Sequence, residues 1–237
     1  MTLIPKIEKA RRRKKDDRWL PLVKNIEYDH EQGYFVNEKP ISHRMTEVIS
    51  WPNKNDHFNK VRRGDYGEER RVDLLISLHQ GNVAHACLDA FHRGRSCDPE
   101  CYEDLVKHLL SYWIWDEWEA IASEYMMFDP RKNIAGTCDM VLRHKEDHSR
   151  IAVADLKTKK DKRDKNGKPI IHFSDHRAQV GGYIHLLNLT WPKLMVEDCF
   201  VIYASPSMCD IDTYNYVDCL TEYQAISEGY FRDYEGF

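Results

Sequence analysis

The sequence predicts an α/β fold: a central mixed β-sheet flanked by helices. Three observations carry this expectation. Residues 123–129, 136–143 and 150–157 are apolar runs of strand type joined by polar turns. Cys199-Phe200-Val201-Ile202-Tyr203-Ala204 is an unbroken apolar run of strand length. Segments with helical spacing precede and follow these runs, and a mixed sheet with helices on its faces is the architecture that buries both kinds of element.

Taken in order, residues 1–20 form a basic N-terminal arm, and residues 21–237 a single domain. The arm's run Arg11-Arg12-Arg13-Lys14-Lys15 is too charged to pack. Ile26-Glu27-Tyr28 and Tyr34-Phe35-Val36 flank a turn at 29–33 and predict a β-hairpin. Residues 41–51 lead into the polar stretch at Trp51-Pro52-Asn53, and 68–78 predict a helix. A second helix starts at Gly81-Asn82 with Asn82 as N-cap. Its core stripe is Ala84, Leu88 and Phe91, while His85, Asp89 and His92 share another face. Residues 103–122, rich in Tyr112, Trp113, Trp115 and Trp118, predict a longer helix. After the three strands comes a charged loop at 157–168, then a helix capped by Ser174 and running to about 189. The buried strand 199–204, a strand near 214–217 and a helix at 221–234 complete the chain.

The chain's 237 residues, 42% of them hydrophobic, suffice for a sizeable core. No apolar run approaches the length of a membrane span, so a membrane protein is not expected. Met1-Thr2-Leu3-Ile4-Pro5 is too short for a secretory h-region, and seven scattered cysteines fit reduced thiols, so the expected location is the cytoplasm. The net charge of −4 by itself argues against a nucleic-acid binder, but its distribution is uneven. Residues 1–24 hold nine Lys/Arg against three Asp/Glu, and residues 197–237 hold one Arg against nine Asp/Glu. One face could still meet phosphates, but charge alone favours a solvated tail and a soluble surface.

The chemistry is concentrated in Gly136-Thr137-Cys138-Asp139 and Asp155-Leu156-Lys157. Two carboxylates on adjacent strands can hold a divalent cation of the Mg²⁺ or Mn²⁺ type, with the Leu156 backbone carbonyl as a further ligand. Asp155 and Lys157 are two apart on a strand and so share a face, where Lys157 can orient or activate a water or stabilise phosphorane charge. Alone, Asp-x-Lys is no more than an ion pair at a strand end. Its context is richer: the apolar run Ile151-Ala152-Val153-Ala154 feeds into it, Gly-x-x-Asp precedes it, and Gln179-x-x-x-Tyr183 follows with both side chains on one helix face.

The order helical His85, Gly136-x-x-Asp139, Asp155-x-Lys157, Gln179-x-x-x-Tyr183 resembles the RecB-type exonuclease branch of the PD-(D/E)XK nuclease superfamily. The resemblance spans residues 41–189. Residues 41–51 and 80–85 look most like the phage exonucleases and the mitochondrial genome maintenance exonuclease. Cys138 stands where the superfamily's eponymous proline would be, as this branch allows.

The resemblance implies a restriction-endonuclease-like core. It also implies a DNA exonuclease working from single strands or duplex ends with Mg²⁺ or Mn²⁺ as two ions. If phage-encoded, it acts in the cytoplasm of a bacterial host. It implies Asp139, Asp155, Lys157 and Gln179 as catalytic residues, and His85, Asp139, Asp155 and the Leu156 carbonyl as metal ligands. Glu124 is either an added acidic ligand or a structural acceptor, and Asp89 a candidate to orient His85.

Tyr183, Thr158, Lys159 and Lys160 are the candidate substrate contacts, Tyr183 with simple packing as the alternative. No iron–sulfur cluster is expected, because Cys199, Cys209 and Cys219 are ten apart. His92, Cys97, Cys101 and His108 form a loose zinc-type pattern. Gly181-Gly182 inside a helix costs roughly 1 kcal/mol per Gly relative to Ala, and close backbone approach would account for it. The rival readings are a structure-specific or restriction-type endonuclease with the same core, and a non-catalytic nucleic-acid-binding module.

Overall fold

A computed structural model describes residues 19–51 and 57–235. The basic run at 11–15 lies outside the described residues. Residues 19 and 20 touch the rest of the chain: Leu20 N–H donates to Ile121 O at 2.7 Å, and Arg93 lies 4.6 Å over the Trp19 ring.

The expected α/β class is observed. The expected hairpin forms from β1 (Ile26–Asp29) and β2 (Gly33–Val36) and adds β3 (Lys39–Pro40) as a third strand. The main sheet has six strands: β4 (His43–Arg44), β5 (Trp118–Asp129), β6 (Ile134–His144), β7 (Ile151–Thr158), β8 (Val196–Ser205) and β9 (Met208–Asn215). β5, β6 and β7 pair antiparallel in sequence, β7 and β8 are parallel, and β8 and β9 antiparallel, so the sheet is mixed.

The seven helices among the described residues are α1 (Met45–Ser50), α2 (His57–Arg63), α3 (Glu68–His92), α4 (Glu103–Leu110), α5 (Ile114–Glu117), α6 (Arg177–Thr190) and α7 (Tyr216–Glu235). The alternation of β7 separates two cores. Ile151 and Val153 join Val180, Ile184 and Leu187 of α6 and Tyr223 of α7 on one side. Ala152, Ala154 and Leu156 join Ala84, Cys87 and Leu88 of α3 and Leu105 and Leu109 of α4 on the other. The unbroken apolar run Ile151–Ala154 at the start of β7 follows from this burial on both faces.

Several boundaries differ from expectation. The helices expected at 68–78 and from Asn82 are one helix, α3, with Gly81 and Asn82 in its interior. A buried stripe of Gln80, Val83, Ala84, Cys87 and Leu88 runs past Gly81, and its packing outweighs the local helix-breaking tendency of one glycine. Phe91 is 40% exposed rather than part of the core stripe. The helix expected over 103–122 ends at Leu110; after the short α5, Trp118 opens β5, which follows β6 along its whole length. Aromatic residues suit strands as well as helices, and the ladder decides.

Ser174 does not cap α6. The N-cap is His176, and the Ser174 carbonyl instead accepts the Tyr203 and Tyr214 hydroxyls at 2.9 and 3.0 Å. The last strand begins earlier than expected, at Met208, which leaves 216–235 to α7.

Candidate active site

The site forms where β6 changes partners. β5 occupies one edge of β6 throughout. On the other edge β4 pairs with Ile134 and Ala135, and β7 with Met140 to Arg143. Between them Asp139 lies beyond the end of the β6–β7 ladder, so its carboxylate can turn into the gap. There Asp139 Oδ2 accepts the Leu156 N–H at 2.7 Å, a bond that fixes the carboxyl group against β7. Asp139 is therefore a mid-strand residue whose side chain faces the gap where β6 and β7 part.

On the neighbouring strand, Glu124 has φ 48°, a left-handed conformation that costs a non-glycine residue about 1–3 kcal/mol. The β5–β6 register passes from Ser123↔Met140 to Tyr125↔Cys138 and brings Glu124 opposite Asp139. From α3, His85 Nδ1 lies 2.9 Å from Glu124 Oε1, and its Nε2 lies 3.8 Å from Asp139 Oδ2. Glu124 thus takes the orienting role considered for Asp89, which instead pairs with Arg93 at 2.7 Å. No local pattern marks Glu124 for that role, because its place depends on register and a strained φ.

Asp155 is fully buried on β7. Its Oδ1 accepts the Gln179 Nε2–H at 2.8 Å, and Gln179 donates in turn to the Tyr183 hydroxyl at 3.0 Å. The two-residue spacing does bring Lys157 alongside: Nζ lies 2.7 Å from Asp155 Oδ2. That oxygen is nevertheless enclosed without a hydrogen bond of acceptable geometry, the ion pair aside. Tyr183, a candidate DNA contact, is only 4% exposed. Its hydroxyl meets Gln179 rather than open solvent.

Burial and the neighbouring Asp155 charge push the Asp139 carboxyl up to about 8, against the pull of His85 and Lys157. Burial opposes the His85 imidazolium, but the Glu124 hydrogen bond and the surrounding carboxylates lift it to about 9. For Lys157 burial disfavours the ammonium, yet Asp155 and Asp139 overcome it and raise its pKa.

A buried Asp139 carboxyl that holds its proton, beside an enclosed Asp155 oxygen lacking a well-formed hydrogen bond, is suited to a cation. His85, Glu124 and Asp139 each offer an atom within 4.8 Å of the others. They form the group of three or more potential ligands found among the described residues, and His92, Cys97, Cys101 and His108 are not part of it. An oxygen-rich set with one imidazole fits Mg²⁺ or Mn²⁺.

A pH dependence follows. Asp139 and His85 have folded pKa values above their ordinary 3.8 and 6.5, so the metal-free protein binds extra protons when folded. Its stability should fall from about pH 4 to about pH 9, as those protons are lost. Metal must displace the same protons. The rise in Tm caused by Mn²⁺ over EDTA should therefore be larger near about pH 8.5 than near about pH 6. Thermal melts at both pH values check this, and an equal increment would exclude Asp139 and His85 as ligands.

The loop after β7 partly engages its own residues. Lys159 Nζ donates to Ser174 Oγ at 3.0 Å and lies 5.1 Å from the Tyr203 ring centre. Lys160 pairs with Asp73 of α3 at 3.0 Å, both side chains 60% exposed. Thr158 faces α3, with its Oγ1 3.6 Å from where a Cβ on Gly81 would stand. Lys159, Lys160, Lys162 and His172 line a cavity of about 90 Å³.

No helix among the described residues is long and apolar enough to cross a membrane. No protein-family model and no curated protein matches the chain. Solved structures similar in backbone course include the following two. One is a Eubacterium rectale protein described as a candidate exonuclease, 9% identical with a TM-score of 0.41, the match covering 65% of each chain. This chain thus spans just under two thirds of that protein's length. The other is SSO0001, 15% identical with a TM-score of 0.36, covering 77% of this chain and 73% of that one. These likenesses concern the course of the backbone over part of each chain, and what the site does rests on its own side chains.

Proposed function

We propose that the protein is a metal-dependent deoxyribonuclease that hydrolyses phosphodiester bonds from DNA ends, on single strands or at the end of a duplex. The observation that supports this reading best is the convergence of Asp139, Asp155, Lys157, Gln179, His85 and Glu124 on the gap between β6 and β7. The two aspartates, His85, Glu124 and the Leu156 carbonyl would hold Mg²⁺ or Mn²⁺, as two ions. When bound, such ions polarise the scissile phosphate and acidify the attacking water.

The chain's own groups do the rest. Lys157, held by Asp155, presents an ammonium to the negative charge that gathers on the phosphoryl oxygens as water adds to phosphorus. The bond to the leaving oxygen then breaks, and that oxygen takes up a proton. Gln179, braced by Tyr183, keeps the Asp155 carboxylate oriented, and Glu124 does the same for His85. Thr158, Lys159 and Lys160 are suited to flanking phosphates. The exposed Lys160–Asp73 pair is weak enough to exchange for one.

End dependence is the sharpest test. Labelled linear single strands incubated with Mn²⁺ or Mg²⁺ should shorten progressively, and EDTA should stop the reaction. Closed single-stranded circles of equal length should survive. Rapid cutting of circles would overturn the exonuclease reading in favour of an endonuclease, and metal-independent cutting would overturn the metal centre itself.

A further inference from the structure

A second cleft lies at the other end of the β6 edge, outside the site just described. It has a volume of about 470 Å³ and is lined by His43, Arg131, Lys132, Asn133, Glu228, Phe231, Arg232 and Tyr234. Its composition is three cations and two aromatic rings against a single acid. Arg131, Arg232 and Tyr234 are exposed, Tyr234 by 64%.

The cleft is held in shape from behind. Asp129, almost fully buried, accepts the backbone N–H groups of Arg131 and Lys132 at 2.8 and 3.3 Å, while its other oxygen meets His185 Nε2 at 3.0 Å. That fixes the turn presenting both cations. Lys132 Nζ donates to the buried Ser227 at 3.0 Å, beside the Phe231 ring at 5.5 Å. Tyr234 stacks on Tyr230 with the rings 11° from parallel and meets His43 edge-on, which gives the exposed ring a rigid backing. Burial keeps His43 below its ordinary pKa and hence neutral at pH 7.

We propose that this cleft binds a nucleotide unit of single-stranded nucleic acid, phosphate on Arg131 and Arg232 and base on Tyr234. A guanidinium pair suits phosphate, and a braced exposed ring suits a base of any sequence. Asn133 adjoins Ile134, the first residue of β6, which lies five residues from Asp139, or about 17 Å at strand rise. At roughly 3.4 Å per stacked nucleotide that distance spans about five units. Arg44, paired with Ala135 on the edge strand, sits between the two sites. The cleft would thus grip the strand beyond the scissile bond, an idea that rests on the nuclease reading for its substrate but not for its binding.

The test measures fluorescence anisotropy of labelled oligothymidylates of about four and about sixteen nucleotides in EDTA, where no cleavage occurs, for wild type and Arg131→Ala/Arg232→Ala. The longer strand should bind the wild type more tightly. The double variant should lose about tenfold or more on the longer strand, which alone can reach both sites at once. Its salt slope should fall by about 1.4, the value for two lost phosphate contacts on single strands. Tyr234→Ala should weaken the longer strand without changing the slope, because stacking releases no counterions. Equal affinity and slope for wild type and the double variant would overturn the proposal. Length-dependent binding that the variant loses would sustain it, even in a protein found to cut nothing.

Discussion

Asp155→Asn should reduce cleavage by at least about 10²-fold while leaving DNA binding largely intact, a loss typical of removing one electrostatic contact to the transition state. The substitution keeps the shape of a fully buried side chain and removes only its charge. Asparagine can still meet Gln179 through its carbonyl oxygen. It cannot supply the anionic oxygen that faces Lys157 at 2.7 Å, and that oxygen is the enclosed one suited to a metal ion.

Lys157→Ala should lose at least as much. The double variant should be little worse than the more damaged single one, because the pair acts as a unit. Single-turnover cleavage of a labelled strand, with anisotropy and a melting curve on the same samples, separates chemistry from binding and folding. Cleavage by folded Asp155→Asn within tenfold of wild type would sink the assignment.

Gly181→Ala should destabilise the protein strongly, by about 3 kcal/mol or roughly 6–12 °C in Tm for a chain of this size. A Cβ at Gly181 would run into the backbone carbonyl of Cys219 on α7, deep inside van der Waals contact. No rotamer relieves a backbone clash, so α7 or α6 must move. At Gly182 the obstacle is the Met45 thioether, and Gly182→Ala should cost less because an unbranched side chain can shift.

Helix propensity alone predicts the opposite sign for Gly181→Ala, a gain of about 1 kcal/mol. Thermal melts therefore discriminate by direction, and an unchanged or higher Tm would refute the close crossing of α6 and α7. Gln179 stands two residues before Gly181, so a displaced α6 should also loosen its bond to Asp155 and lower kcat.

The sheet class, the β1–β2 hairpin and the partnership of Asp155 with Lys157 were legible in the sequence. They depend on local alternation and on a two-residue spacing that any strand obeys. Gln179 and Tyr183 were legible as neighbours on one helix face for the same reason. The Gly181-Gly182 pair announced a close approach without saying to what.

Only the tertiary structure decided the rest. It runs α3 unbroken through Gly81, because a buried stripe outweighs one glycine. It makes 118–122 a strand, because β6 offers a ladder to aromatic residues that a helix would also accept. It sets the Tyr183 hydroxyl against Gln179. It gives the orientation of His85 to Glu124 rather than Asp89, through a strand register and a left-handed φ with no local signature. Spacing along the chain fixes which side chains share a face; which face meets which partner is set by strand pairing and helix packing between residues far apart in sequence.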